Sequence, residues 1–126
     1  MNPRTPLALL GGLTPEQFMR RHWHKKPLLV RGAIPAFALS AQNGAPMDSP
    51  IPTQELLQFA LQDEVESRLV KSKPWSFNQG PFSKKAIPAI DKPDWTLLLQ
   101  GMDAHHPAAA KILSWFRFIP DARLDD

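Results

Sequence analysis

The chain has 126 residues, 43% of them hydrophobic and 21% charged, with a formal net charge of +3. Those proportions are near globular averages, so they exclude a disordered polyelectrolyte, and no apolar run approaches the ~20 residues of a membrane span. Cysteine is absent, which excludes disulfides, thiol nucleophiles and Cys-based zinc sites; a reducing cytoplasm is the expected compartment, and no signal peptide is expected at the N-terminus. Proline accounts for 14 residues, roughly twice the usual ~5%. Because proline removes a backbone donor and breaks helices, short elements joined by many turns are expected.

Gly11-Gly12 marks a turn. Thr14, Pro15 and Gln17 form a capping box with Pro at the first helical position, and Leu13 and Phe18 are spaced as a hydrophobic staple. A helix is predicted from Pro15 to about Trp23, ended by Pro27. Leu28-Leu29-Val30 reads as a short strand closed by Gly32 and Pro35. Residues 36–52, with Pro46, Pro50, Pro52, Asn43 and Gly44, read as a Pro-rich loop.

Thr53 is placed to cap a second helix whose apolar face is Leu56, Leu57, Ala60 and Leu61. Val65–Val70 and Trp75–Asn78 read as a hairpin turned by Lys71-Ser72-Lys73-Pro74, with Trp75 and Phe77 on one face. A second Pro-punctuated linker covers 83–94. Trp95–Leu99 is short and nearly continuously apolar, which favours a strand over a helix. Pro107 opens a last helix with an apolar stripe at Ala109, Ile112, Leu113 and Phe116, ended by Pro120.

No nucleophile elbow, phosphate-binding loop, dinucleotide fingerprint or H-E-x-x-H pair occurs. Asp63, Glu64 and Glu66 fit a helix end and a strand start better than an acid/base pair. His22 and His24, two apart on a helix, diverge, as do the neighbours His105 and His106. A metal site drawing on all four histidines is a minor alternative, beside plain packing for His22 and a cap or loop role for His105 or His106. Residues 1–35 hold six Lys and Arg against Glu16 alone. Within that stretch, Arg20, Arg21, Lys25 and Lys26 are the best candidates for polyanion contact, although a solvated helix face explains them too. Trp23, Trp75, Trp95 and Trp115 serve either as core residues or as stacking platforms for RNA.

Four blocks taken in order carry a resemblance: Phe18–Pro35 (FMRRHWHKKPLLVRGAIP), Glu64–Val70 (EVESRLV), Gly80-Pro81-Phe82, and Trp95–Asp126 (WTLLLQGMDAHHPAAAKILSWFRFIPDARLDD). Together they resemble the N-terminal region of the bacterial cupin-type, JmjC-like ribosomal oxygenases. That resemblance implies an α+β fold over 1–126, with helices and short antiparallel strands forming the N-terminal part of a cupin, or double-stranded β-helix, domain. It implies Fe(II) and 2-oxoglutarate as cofactors of the whole enzyme, and hydroxylation of an arginine in a large-subunit ribosomal protein. It also implies that the metal triad, a His-x-Asp pair and a distal His, lies downstream. Here the residues two after the histidines are His24, Lys26, Pro107 and Ala108, so no His-x-Asp exists.

The expectation is therefore a segment truncated ahead of its metal-binding core. No residue of it is assigned a catalytic, cofactor-binding or metal role, no cofactor is expected for the chain alone, and isolated it is expected to be inactive. The core positions expected from pattern are Trp95, Leu97, Leu99, Ile112, Leu113 and Phe116. The expected partners are a ribosomal protein and, weakly, RNA, with no membrane; the sequence does not set an oligomeric state. The alternative is a non-catalytic RNA- or ribosome-associated adaptor module. Exposed apolar surface is expected near Trp95–Leu99 or the last helix.

Overall fold

The computed structural model describes residues 2–35, 49–120 and Leu124. The chain divides into two compact units, Met1–Asp48 with Arg117–Pro120, and Ser49–Phe116 with Asp121–Asp126. The predicted loop at 36–52 lies mostly outside the described residues.

The first unit opens with a 3-10 turn at Ala8–Leu10, ended by Gly11 in the left-handed region at φ 63°. Helix α1 follows at Pro15–Arg21. Its capping box is complete: Thr14 Oγ1 accepts from the Gln17 N–H at 3.1 Å, and Gln17 Oε1 accepts from the Thr14 N–H at 3.0 Å. Two of the orphan donors at the helix start are thereby satisfied. The helix stops one turn before Pro27. Leu28-Leu29-Val30 is not a strand. Among the described residues no strand runs beside it, and Leu29 is 76% exposed, so its extended backbone has neither ladder nor buried face to hold. Val30 instead packs its methyls against the turn at Gly11, where an added Cβ would lie 3.3 Å from one of them.

The second unit starts with α2, Thr53–Phe59. Thr53 is its first helical residue and not its cap; the preceding Pro52 takes the capping position and makes no side-chain bond. Strand β1 (Glu66–Ser72) is central to a three-stranded antiparallel sheet in the order β2-β1-β3, with β2 at Trp75–Gln79 and β3 at Trp95–Gln100. The hairpin and the strand reading of Trp95–Leu99 both hold, but Lys71 and Ser72, expected in the turn, belong to β1 and pair with Ser76 and Trp75, so the turn is Lys73-Pro74 alone. Leu69 stands opposite Asn78 and Leu97, and Val70 opposite Phe77 and Thr96. Since paired residues share a face, Ser67, Leu69, Leu97 and Leu99 lie on one side of the sheet, and Arg68, Val70, Phe77, Trp75 and Leu98 on the other.

Among the described residues, the main packing lies on the first side. Ala60, at the end of α2, packs with Leu69 and Phe82, and the half-buried Trp95, Leu97 and Leu99 lean on that cluster. Ile51, Val65 and Met102 form a second cluster contacted by Leu56, Phe59, Ala108 and Ala109. The last two belong to helix α4, Pro107–Ser114, which follows the one-turn helix α3, Met102–His105. The expected core residues Trp95, Leu97, Leu99, Ile112, Leu113 and Phe116 are all half-buried. Full burial falls instead on Leu10, Ile51, Ala60, Val65, Leu69, Phe82 and Met102. A short sheet packed mainly on one face encloses only what lies directly under α2, and strand periodicity marks the inward side without setting depth.

Candidate functional site

Two regions carry features beyond packing. The first is the corner after α1. Arg20 and Arg21 occupy the last turn of α1, and both are exposed, as are Lys25, Lys26 and Arg31. Lys25 is engaged locally: its Nζ donates to the Arg20 carbonyl, one of the acceptors a helix end leaves without an intrahelical donor. His22 Nδ1 lies 3.2 Å from the Pro27 carbonyl oxygen, so the nitrogen that donates there is Nδ1. His24 takes φ 55°, a left-handed turn that sends the chain back past the helix end. Aromatic rings hold the corner together. Phe18 stacks on His22 at 6.0 Å and meets Phe118 edge-on at 5.7 Å, and Trp23 meets His24 at 4.9 Å. His22 therefore has the packing role expected of it beside Phe18.

The second region is the outer edge of β3. The Ser72 N–H donates to the Asp94 carbonyl at 2.9 Å. In an antiparallel ladder bonded pairs alternate with unbonded ones. With the observed register, Val70·Thr96, Arg68·Leu98 and Glu66·Gln100 are then the bonded pairs. The N–H and C=O groups of Trp95, Leu97 and Leu99 consequently point away from β1, to an edge that no strand occupies among the described residues. The other side of β1 agrees: the Gly80 N–H donates to the Ser67 carbonyl at 2.8 Å, which puts the odd-numbered residues of β1 on the β2 side. Beside this open edge, Leu56, Leu57, Ile90 and Leu97 line a groove of about 320 Å³ with Thr53 and Lys92 at its rim. Trp75 is 79% exposed, Phe77 60% and Leu98 50%, so the far face of the sheet presents exposed apolar side chains among polar ones such as Arg68 and Thr96. The apolar exposure expected near Trp95–Leu99 is present at Leu98, and the hairpin adds more of it.

The histidines do other work. His106 caps α4: its Nδ1 accepts from the Ala108 N–H at 3.1 Å, so the ring proton resides on Nε2, which donates to Glu55 Oε2 at 3.1 Å. His105 sits against Phe59, with ring centroids 6.4 Å apart. Among the described residues, no group of three or more His, Cys, Asp or Glu side chains is placed to hold a metal ion. These residues do not fit the iron centre that the resemblance implies. Among the described residues, no helix is long and apolar enough to cross a membrane.

Helices and short antiparallel strands in this arrangement match the N-terminal cupin/JmjC-like region of the ribosomal oxygenases. Over most of its length the chain is similar in sequence and structure to part of the proteins of that family. It is 32% identical over 111 residues to the ribosomal protein uL16 3-hydroxylase of Escherichia coli (strain K12), a match covering 86% of this chain and 26% of that protein. A probable ribosomal oxygenase of Haemophilus influenzae is 28% identical over 117 residues, covering 90% of this chain and 26% of the relative. Among solved structures, YcfD, a ribosomal oxygenase from Escherichia coli, superposes with a TM-score of 0.66 at 30% identity, covering 86% of this chain and 28% of that one. YcfD in complex with cobalt and 2-oxoglutarate gives 0.66 as well, over 27% of its chain. The chain thus spans about a quarter of the length of the curated relatives it matches. No family model matches it.

Proposed function

We propose that this chain forms the N-terminal flank of a cupin domain in an Fe(II)- and 2-oxoglutarate-dependent ribosomal oxygenase. Such an enzyme hydroxylates an arginine of a large-subunit ribosomal protein, in the cytoplasm. The iron ligands are assigned to a part of the enzyme outside these residues. The observation that carries the reading is the half-finished sheet. The backbone N–H and C=O groups of Trp95, Leu97 and Leu99 point to an edge of β3 that no strand occupies among the described residues, and Trp75, Phe77 and Leu98 are exposed on the far face. An open edge and exposed apolar side chains on one small sheet are what stable proteins avoid unless another element covers them.

Two measurements test this. Amide hydrogen exchange should find Leu97 and Leu99 fast in the isolated chain, with Thr96 and Leu98 protected. Equal protection along β3 would remove the open edge. The 126-residue chain supplied with Fe(II), 2-oxoglutarate and a ribosomal protein should give no succinate. Turnover without any added protein would overturn the assignment of the iron site to other residues. The cationic corner favours a second reading, a non-catalytic RNA- or ribosome-associated adaptor module, in which contact with RNA is the whole function.

A further inference from the structure

The stretch after α1 carries more positive charge than closing that helix uses. Five of the six Lys and Arg of residues 1–35 fall between Arg20 and Arg31, and all five are exposed. The only acid of that stretch, Glu16, stands in the first turn of α1, 4.0 Å from Arg4 and one turn ahead of Arg20, so one carboxylate faces six cations over residues 1–35. Lys25 serves the helix end through the Arg20 carbonyl. Among the described residues, none of the ion pairs involves Arg20, Arg21, Lys26 or Arg31, and these four are offered to an outside partner. Arg20 and Arg21 suit the dipole at the end of α1, but a run of like charges along one short stretch also repels itself and attracts an anionic partner.

The rings add a second observation. His24 is exposed, and the half-buried Trp23 meets it edge-on at 4.9 Å. His24, at a left-handed φ, directly precedes Lys25 and Lys26 in the chain, and Phe18 packs with His22 and Phe118 in the same unit. Arginine forks suit phosphate oxygens, and an exposed planar ring next to them suits a base. An acidic protein would use the cations but gain nothing from the ring.

We infer that this corner binds single-stranded nucleic acid, holding phosphates with Arg20, Arg21, Lys26 and Arg31 and one base against His24. This does not depend on the oxygenase reading: it rests on charge and ring geometry within the first unit alone.

The test is a fluorescence-anisotropy titration of the whole chain with a labelled single-stranded RNA, and with DNA of the same sequence, across a salt series. Affinity should fall with salt along a log–log slope of about −3 for four phosphate contacts. Arg20→Glu/Arg21→Glu should weaken binding at least about tenfold and flatten the slope by about 1.4. His24→Ala should weaken binding while leaving the slope unchanged, as the loss of a stacked base would. Lys84→Glu/Lys85→Glu carries the same charge change on exposed residues of the other unit, and should stay within about twofold. Circular dichroism confirms that each variant is folded, and Arg20→Gln/Arg21→Gln replaces the reversal should that variant unfold. Binding of either strand in this pattern supports the inference, and the tighter one identifies the source. Absence of salt-dependent binding, equal loss in the two double variants, or equally tight binding of poly-glutamate would each overturn it.

Discussion

Removing a hydroxyl from near the start of β1 should stabilise this protein. Ser67 is 1% exposed, and its Oγ has no hydrogen-bond partner among the described residues. A buried hydroxyl left unpaired costs roughly 1–3 kcal/mol against its hydrated state. Ser67→Ala removes that cost and leaves a void of one oxygen atom, whose lost contacts are worth ~0.1–0.2 kcal/mol each. The net gain is about 1 kcal/mol, or about 4–8 °C in Tm for a unit of this size. The same atom explains why residue 80 is glycine. A Cβ at Gly80 would lie 2.0 Å from Ser67 Oγ, and 3.1 and 3.2 Å from two ring carbons of Phe82. Gly80→Ala should therefore cost about 1–3 kcal/mol by overpacking. In Ser67→Ala/Gly80→Ala the hydroxyl is gone and only the Phe82 contacts remain tight, so the two changes should couple favourably by about 1 kcal/mol. Urea denaturation of the parent, both single variants and the double closes the cycle. Two results would refute the reasoning. A Ser67→Ala variant less stable by more than about 1 kcal/mol would mean that the hydroxyl is hydrogen-bonded. Strict additivity would mean that it is not what excludes a methyl at residue 80.

Three further outcomes are expected. Leu69→Ala, at 2% exposure under Ala60 and Phe82, should cost about 2–5 kcal/mol in denaturant titration because the central strand cannot collapse into the void. Thr14→Ala should lose the capping box of α1 and about 0.5–2 kcal/mol, read by thermal melting; Thr14→Ser should recover most of it. His106→Ala should lose both the α4 cap and the bond to Glu55, about 1–2 kcal/mol. His106→Asn keeps an acceptor at the cap and should recover the larger share. Equal loss in both variants would show that the Glu55 bond carries the effect.

The local signals were strong where one short stretch contains its own satisfaction. Thr14, Pro15 and Gln17 announce the start of α1 because each partner lies within three residues of the other. The hairpin from β1 to β2 was legible for the same reason. Leu28-Leu29-Val30 misled because a strand needs a neighbour, and β-propensity names no neighbour. Thr53 misled because Thr is a good cap wherever it stands near a helix start, while the chain enters α2 one residue earlier, through Pro52. The basic residues of the corner were visible as letters. Their division of labour, with Lys25 closing the helix and its neighbours left outward, depends on a turn that no periodicity describes.

Composition, capping signals and the four ordered blocks determined an α+β segment that resembles part of the ribosomal oxygenases, with its positive charge at the front and no His-x-Asp pair. These are properties of residue identity and spacing, and they survive any folding. Which residues are truly buried, which backbone groups of β3 face outward, and which unpaired hydroxyl forbids a side chain at Gly80 were decided by the tertiary structure alone. Each depends on what stands across from a residue in space, and strand order and register are relations between segments that no single stretch of sequence contains.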